Sequence, residues 1–121
     1  MNKRLEKSLQ DEVKKYYESL GYVLWRNNVG ALKTPYGGFL RFGLANESQK
    51  MNAALKSSDL VGIKPLLITQ DHVGQLLGQF VAFEIKKPGW KFRETPKELA
   101  QKRFIDLVNE HGGYAQFVSK I

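Results

Sequence analysis

The chain contains no cysteine, so neither a disulfide nor a thiolate metal site can contribute to its fold or chemistry. No apolar run is long enough to span a bilayer, and the opening Met1-Asn2-Lys3-Arg4-Leu5-Glu6-Lys7 lacks the apolar core of a secretion signal. The expectation is a soluble, cytoplasmic protein. The histidines, His72 and His111, are isolated: neither has a second histidine or a cysteine at ligand spacing, which argues against zinc. Also absent are a nucleophile elbow, a phosphate-cradling P-loop and a dinucleotide fingerprint. No internal repeat or low-complexity tract interrupts the chain.

Acidic residues are in deficit, 12 against 19 lysines and arginines, for a formal charge of +7. The basic residues are spread along the chain and concentrate at Lys86, Lys87, Lys91 and Arg93. Such a surface attracts polyanions by counterion release and steering, and nucleic acid is the common partner. The 121 residues fit one compact domain, and an apolar fraction of 42% allows a core.

Leu5, Leu9, Val13, Tyr16 and Leu20 follow helical spacing, and Gly21 supplies a stop, predicting a helix over 3–20. A strand is expected over 22–27. A Gly-punctuated flap or hairpin should follow over 28–43, turning at Pro35-Tyr36-Gly37-Gly38 and returning through Phe39–Phe42. Residues 45–57 are polar, with a short helix around 50–55. Asp59–Ile63 reads as a core strand broken by Lys64-Pro65, 66–79 as a strand and turn, and 80–86 as a further strand. Thr95-Pro96-Lys97-Glu98 combines an N-cap, a proline at the first helical position and a glutamate at the third. The helix it starts should run to about Glu110 and stop at His111-Gly112-Gly113, before a last strand over 114–118. The class is α/β.

Charge at the end of an apolar strand marks the candidate chemistry. In Phe80-Val81-Ala82-Phe83-Glu84-Ile85-Lys86, Glu84 and Lys86 share one face by the twofold alternation of a strand. Asp59 opens another apolar strand. Alone, Asp59 is good turn chemistry after Ser57-Ser58, and Glu84 with Lys86 an ordinary surface pair. In this order and context they are the arrangement with which metal-dependent nucleases cut phosphodiesters. Mg²⁺ or Mn²⁺ takes oxygen ligands and keeps water. Asp59 and Glu84 would supply carboxylates and Ile85 its backbone carbonyl. The ion would acidify a water and shield the phosphate, with Lys86 orienting the water or stabilising the transition state. Gln101 falls in a row with Lys97, Phe104 and Val108, beside the apolar face of its helix, where an amide needs partners. Glu6 and Glu12 each lie about 60° from the centre of the first helix's apolar stripe, on opposite flanks, so geometry does not choose between them. Aromatic residues interleave with bases around Trp90, Lys91, Phe92 and Arg93, which suits stacking and phosphate pairing. Trp90 is the surface candidate; Trp25, Phe39 and Phe42 are expected to pack.

Glu6-Lys7-Ser8-Leu9-Gln10, Trp25-Arg26-Asn27-Asn28-Val29-Gly30, Ser58-Asp59-Leu60-Val61-Gly62, Phe83-Glu84-Ile85-Lys86 and Gln101-Lys102-Arg103-Phe104 together closely resemble the VRR-NUC domain. That family belongs to the PD-(D/E)xK, restriction-endonuclease-like superfamily, and the resemblance runs from Glu6 to Val118. It implies a restriction-endonuclease-like core, a mixed central sheet flanked by helices in the order helix, strands, helix, strand. It implies Mg²⁺ or Mn²⁺ held by Asp59 and Glu84, with the helix acid at Glu6 and Glu12 as the alternative. Gln101 matches the family's helix glutamine, and Ser58 stands where the superfamily label has proline. Small members from phages and bacteria resemble Holliday-junction resolvases and are expected to act as homodimers, whereas larger relatives append further modules and cut flaps. No such module is evident in this sequence, which favours a dimeric nuclease for branched DNA in a bacterial or phage-infected cell, with no organic cofactor. Lys87, Trp90, Lys91 and Arg93 would contact the nucleic acid, and the 28–43 flap is one hypothesis for the dimer surface. A flap or linear-duplex nuclease, or a non-catalytic nucleic-acid-binding module, are the alternatives.

Overall fold

The computed structural model describes residues 3–121. It is a small α/β protein whose chain divides into two compact units, Met1–Gly62 and Ile63–Ile121. Its strands pair two by two: β1 (Val23–Arg26) with β4 (Leu60–Ile63), β2 (Gly30–Lys33) with β3 (Phe39–Phe42), and β5 (Val81–Ile85) with β6 (Tyr114–Val118). The sheets are thus smaller than the one central sheet expected. Pro65, lacking an N–H, is unsuited to extending β4.

In the first unit, α1 (Lys3–Ser19) ends as the sequence requires. Gly21 takes a φ of +96°. Its amide donates to the Glu18 carbonyl at 3.0 Å, and the Tyr22 amide reaches back to Tyr17 at 3.1 Å. These two bonds form a Schellman stop, which favours glycine because a side chain would be strained at that φ. β2 and β3 form an antiparallel hairpin with Leu32 opposite Leu40 and Gly30 opposite Phe42. The Phe42 ring lies over Gly30 so closely that a Cβ there would sit 2.6 Å from it. Asn46, only 2% exposed, fastens the base of the hairpin. Its Nδ2 donates to the carbonyls of Gly30 at 2.7 Å and Phe42 at 2.8 Å, while its Oδ1 accepts from Arg41 at 2.7 Å. Phe39, expected to pack, is instead 66% exposed, because register with Lys33 puts it on the polar face of the hairpin. Phe42, also expected to pack, is 42% exposed, whereas Trp25 is half-buried. The short helix α2 (Gln49–Ala54) starts at Ser48, whose hydroxyl accepts from the Met51 amide.

The second unit is a strand–helix–strand crossover. β5 and β6 run parallel, in register from Val81 with Tyr114 to Ile85 with Val118, and α3 (Pro96–Glu110) joins them. Val108 of α3 is fully buried, with Ile105 and Ala115 beside it in the core. Asn109 locks β6 to the helix from both sides, donating to the Ala115 carbonyl at 3.0 Å and accepting its amide at 2.8 Å. Gly112, at a φ of +89°, closes α3 with a second Schellman stop. The segment over 66–79 forms one 3₁₀ turn, Gln70–His72, where a strand was expected. His72 Nδ1 accepts the Thr69 amide at 3.0 Å, a local side-chain bond that competes with strand pairing. Among the described residues no helix is long and apolar enough to cross a membrane.

Candidate active site

β5 alternates as its sequence dictates. Val81, Phe83 and Ile85 are exposed on one face; Ala82, Glu84 and Lys86 are half-buried on the other. The Lys86 amide continues the ladder by donating to the Val118 carbonyl at 2.8 Å, so the lysine side chain inherits the strand's direction. Gln101, two turns into α3, bridges the charged pair. Its Nε2 donates to Glu84 Oε1 at 2.8 Å, and its Oε1 accepts from Lys86 Nζ at 2.7 Å. Lys86 and Glu84 approach no closer than 4.0 Å, and both contacts to the carboxylate fall on Oε1. The lysine is the more enclosed partner, its side chain 14% exposed against 41% for Glu84. A cavity of about 390 Å³ lies beside Glu84 and Gln101, lined by these two, Lys97 and the apolar residues around them; Lys86 does not line it.

Aromatic rings close over the lysine. Lys86 Nζ lies 5.3 Å from the Trp90 ring centroid and 5.7 Å from that of Phe117, within cation–π range of both. Trp90, expected at the surface, is half-buried: its ring packs on Phe117 at 4.8 Å and meets Phe92 edge-on at 6.2 Å. The indole N–H donates to Glu98 Oε2 at 2.8 Å. Burial pushes the Glu98 carboxyl up, but hydrogen bonds from Thr95, Arg93 and Trp90 outweigh it and hold the carboxyl below its ordinary range. Lys87, Trp90, Lys91 and Arg93 line one further cavity of about 450 Å³, so the expected nucleic-acid contacts are gathered on one loop. Ile85 ends β5 next to Glu84 and is 70% exposed.

In the first unit, Asp59 precedes β4 and is exposed. Asn27 organises the approach to it. The Asn27 amide N–H donates to the Asp59 carbonyl at 2.9 Å, and its side chain donates to Ser57 Oγ at 2.7 Å and to the Ser58 carbonyl at 2.9 Å. The same side chain accepts the Leu44 amide at 3.2 Å. β4 then runs so close to β1 that a Cβ on Gly62 would lie 1.9 Å from the Val23 carbonyl. Asp59 and Glu6 line the same cavity of about 340 Å³, together with Leu9, Gln10, Val13 and Leu60; Glu12 is not among its lining residues.

The expected residues are therefore gathered as Glu6 with Asp59 in one unit, and Glu84, Lys86 and Gln101 in the other. Within neither unit, among the described residues, do three histidine or carboxylate side chains form a group that could hold a metal. The donors are all oxygen, which is the chemistry of Mg²⁺ or Mn²⁺. Asn27, Glu98 and Phe117 were not singled out from the sequence. Asn27 stands inside a motif that was, and Glu98 was read only as a helix cap. The histidines serve local structure: His111 Nδ1 lies 2.7 Å from the Leu107 carbonyl at the end of α3. No known family, curated protein or solved structure matches the chain.

Proposed function

We propose that the protein is a metal-dependent, structure-selective DNA endonuclease with a restriction-endonuclease-like core, acting on four-way junctions as a homodimer. The observation that carries this reading is the Glu84–Gln101–Lys86 chain. A carboxylate and an ammonium on one strand face are kept 4.0 Å apart by an amide that bonds both, which holds them available to a ligand instead of to each other. In this reading Glu6 and Asp59 in the first unit, and Glu84 with the Ile85 carbonyl in the second, are the groups that would bind metal. The cavity shared by Glu6 and Asp59 supports Glu6 over Glu12 as the helix acid.

A bound Mg²⁺ or Mn²⁺ supplies charge neutralisation at the scissile phosphate and a lowered pKa for water. Lys86, enclosed by Trp90 and Phe117, presents its ammonium toward the charge that develops on the phosphate. Gln101 fixes both Glu84 and Lys86. Lys87, Lys91 and Arg93 grip phosphates away from the reaction and set the register of the DNA.

The test is cleavage of labelled four-way junction, flap and linear duplex, with and without Mn²⁺. Cutting of the junction by the wild type is expected, abolished in Glu84→Ala and Asp59→Ala while DNA binding persists. Cutting of linear duplex at a fixed sequence would point to a restriction-type enzyme. Failure to cut any substrate with any metal would leave a nucleic-acid-binding module.

A further inference from the structure

We infer that Glu98 is a positioning residue for Lys86, acting through the Trp90 indole. The inference rests on the reading of Lys86 as the ammonium that meets the scissile phosphate. Glu98 does more than a capping box asks. The cap needs one reciprocal exchange with Thr95, which the structure contains: the Thr95 amide donates to Glu98 Oε1 at 3.2 Å, and the Glu98 amide donates to Thr95 Oγ1 at 3.1 Å. Yet Glu98 as a residue is almost completely buried, at 6% exposure, and its carboxylate uses both oxygens. Oε1 also accepts the Arg93 amide at 3.2 Å, and Oε2 accepts the Trp90 indole at 2.8 Å. The loop between β5 and α3 is thereby tied at its middle to the first turn of the helix.

That tie sets where the indole lies, and the indole faces Lys86. Four methylenes separate the lysine ammonium from its backbone, and without lateral support that stem samples many rotamers. Gln101 holds the ammonium from one direction by a hydrogen bond. Trp90 and Phe117 hold it by their ring faces. Phe117 is fixed by its strand; Trp90 sits in a turn opened by Gly89, at a φ of +82°, and has no strand to fix it. Its indole bond to Glu98 takes that role.

Glutamine separates the two jobs of Glu98. It suits the third position of a capping box, but it has one acceptor oxygen where two are in use, so it cannot serve the backbone amides and the indole together. Aspartate keeps the charge and shortens the reach by one methylene. With ¹³C-labelled lysine, the Lys86 ε-methylene should resonate upfield in the wild type under the Trp90 and Phe117 rings. In Glu98→Gln and in Glu98→Asp that displacement should fall to about half or less as the indole swings away. On whichever DNA the wild type cuts, kcat should drop about tenfold at unchanged KM, since only the alignment of a reacting group is lost. If the indole proton shifts in both variants while the Lys86 resonance stays in place, Glu98 is only a helix cap and the inference is overturned. The resonance decides this even for a wild type that cuts nothing, so failure of the positioning idea is distinguishable from failure of the nuclease reading.

Discussion

Gln101 illustrates how much a single neutral side chain can decide. A primary amide is a side chain that can donate to a carboxylate and accept from an ammonium at once, and Gln101 does both, at 2.8 Å and 2.7 Å. Removing it should let Lys86 close on Glu84, converting a poised pair into an ordinary ion pair whose carboxylate is no longer free for a cation. Gln101→Leu keeps the volume and the helix propensity and removes the bridge. Titration calorimetry with Mn²⁺ should then show affinity weakened by about tenfold or more, as when hydrogen bonds that orient metal ligands are lost. Unchanged affinity would mean that the amide does not support the site. The placement of the three residues was legible in the sequence, but not the bonds between them. Alternation on β5 put Glu84 and Lys86 on one face, and helical spacing put Gln101 beside the apolar row. The partner of Trp90 was not legible, because Thr95 and Glu98 already satisfied a capping signature and nothing in the spacing revealed a second use for the carboxylate.

Among the elements, the β2–β3 hairpin is the one whose isolation calls for a partner. A two-stranded hairpin is marginal in water unless its apolar face is covered. Register places Leu32 opposite Leu40, with Phe42 beside them, and Leu32 and Leu40 remain 60% and 61% exposed. At the turn, Tyr36 is 96% exposed. In the proposed homodimer a second copy of the chain would cover this face, since a twofold axis turns one apolar patch into a self-complementary pair. Sedimentation at micromolar concentration should give a dimer for the wild type and a monomer for Leu40→Arg, which places a charge in that face. A wild-type monomer would remove the hairpin as an interface. The helices, both Schellman stops and the strand boundaries were readable to within a few residues, because glycine, proline and capping residues act locally. The clasp of Asn46 on the hairpin was not, because residues 45–57 show no periodicity and a side chain that bonds one near carbonyl, Phe42, and one distant carbonyl, Gly30, leaves no pattern. The 3₁₀ turn at Gln70–His72 escaped for a related reason: its His72–Thr69 bond is local but has no fixed sequence signature.

At the scale of the whole molecule, the proposed reading gives the excess of seven positive charges the task of drawing in DNA, and the loop over 87–93 gathers several of those charges at one place. Lys87, Lys91 and Arg93 are exposed, whereas Lys86 is enclosed; the proposed function accordingly assigns phosphate gripping to the first three and chemistry to Lys86. Phosphate contacts carry no information about sequence, and each releases about 0.9 counterions from duplex DNA. Replacing Lys87, Lys91 and Arg93 together by alanine should therefore lower the slope of log affinity against log salt by about 2.7. It should also weaken junction, flap and duplex by similar factors. Cleavage at saturating DNA should survive, because Glu84, Gln101 and Lys86 are untouched. The matching experiment on Glu84→Ala should show the opposite division, with the salt slope kept and turnover lost. A triple variant whose salt slope equals that of the wild type would place the DNA on another face. The basic loop would then be a solvated surface beside the site, and the ammonium of Lys86 would have no phosphate delivered to it.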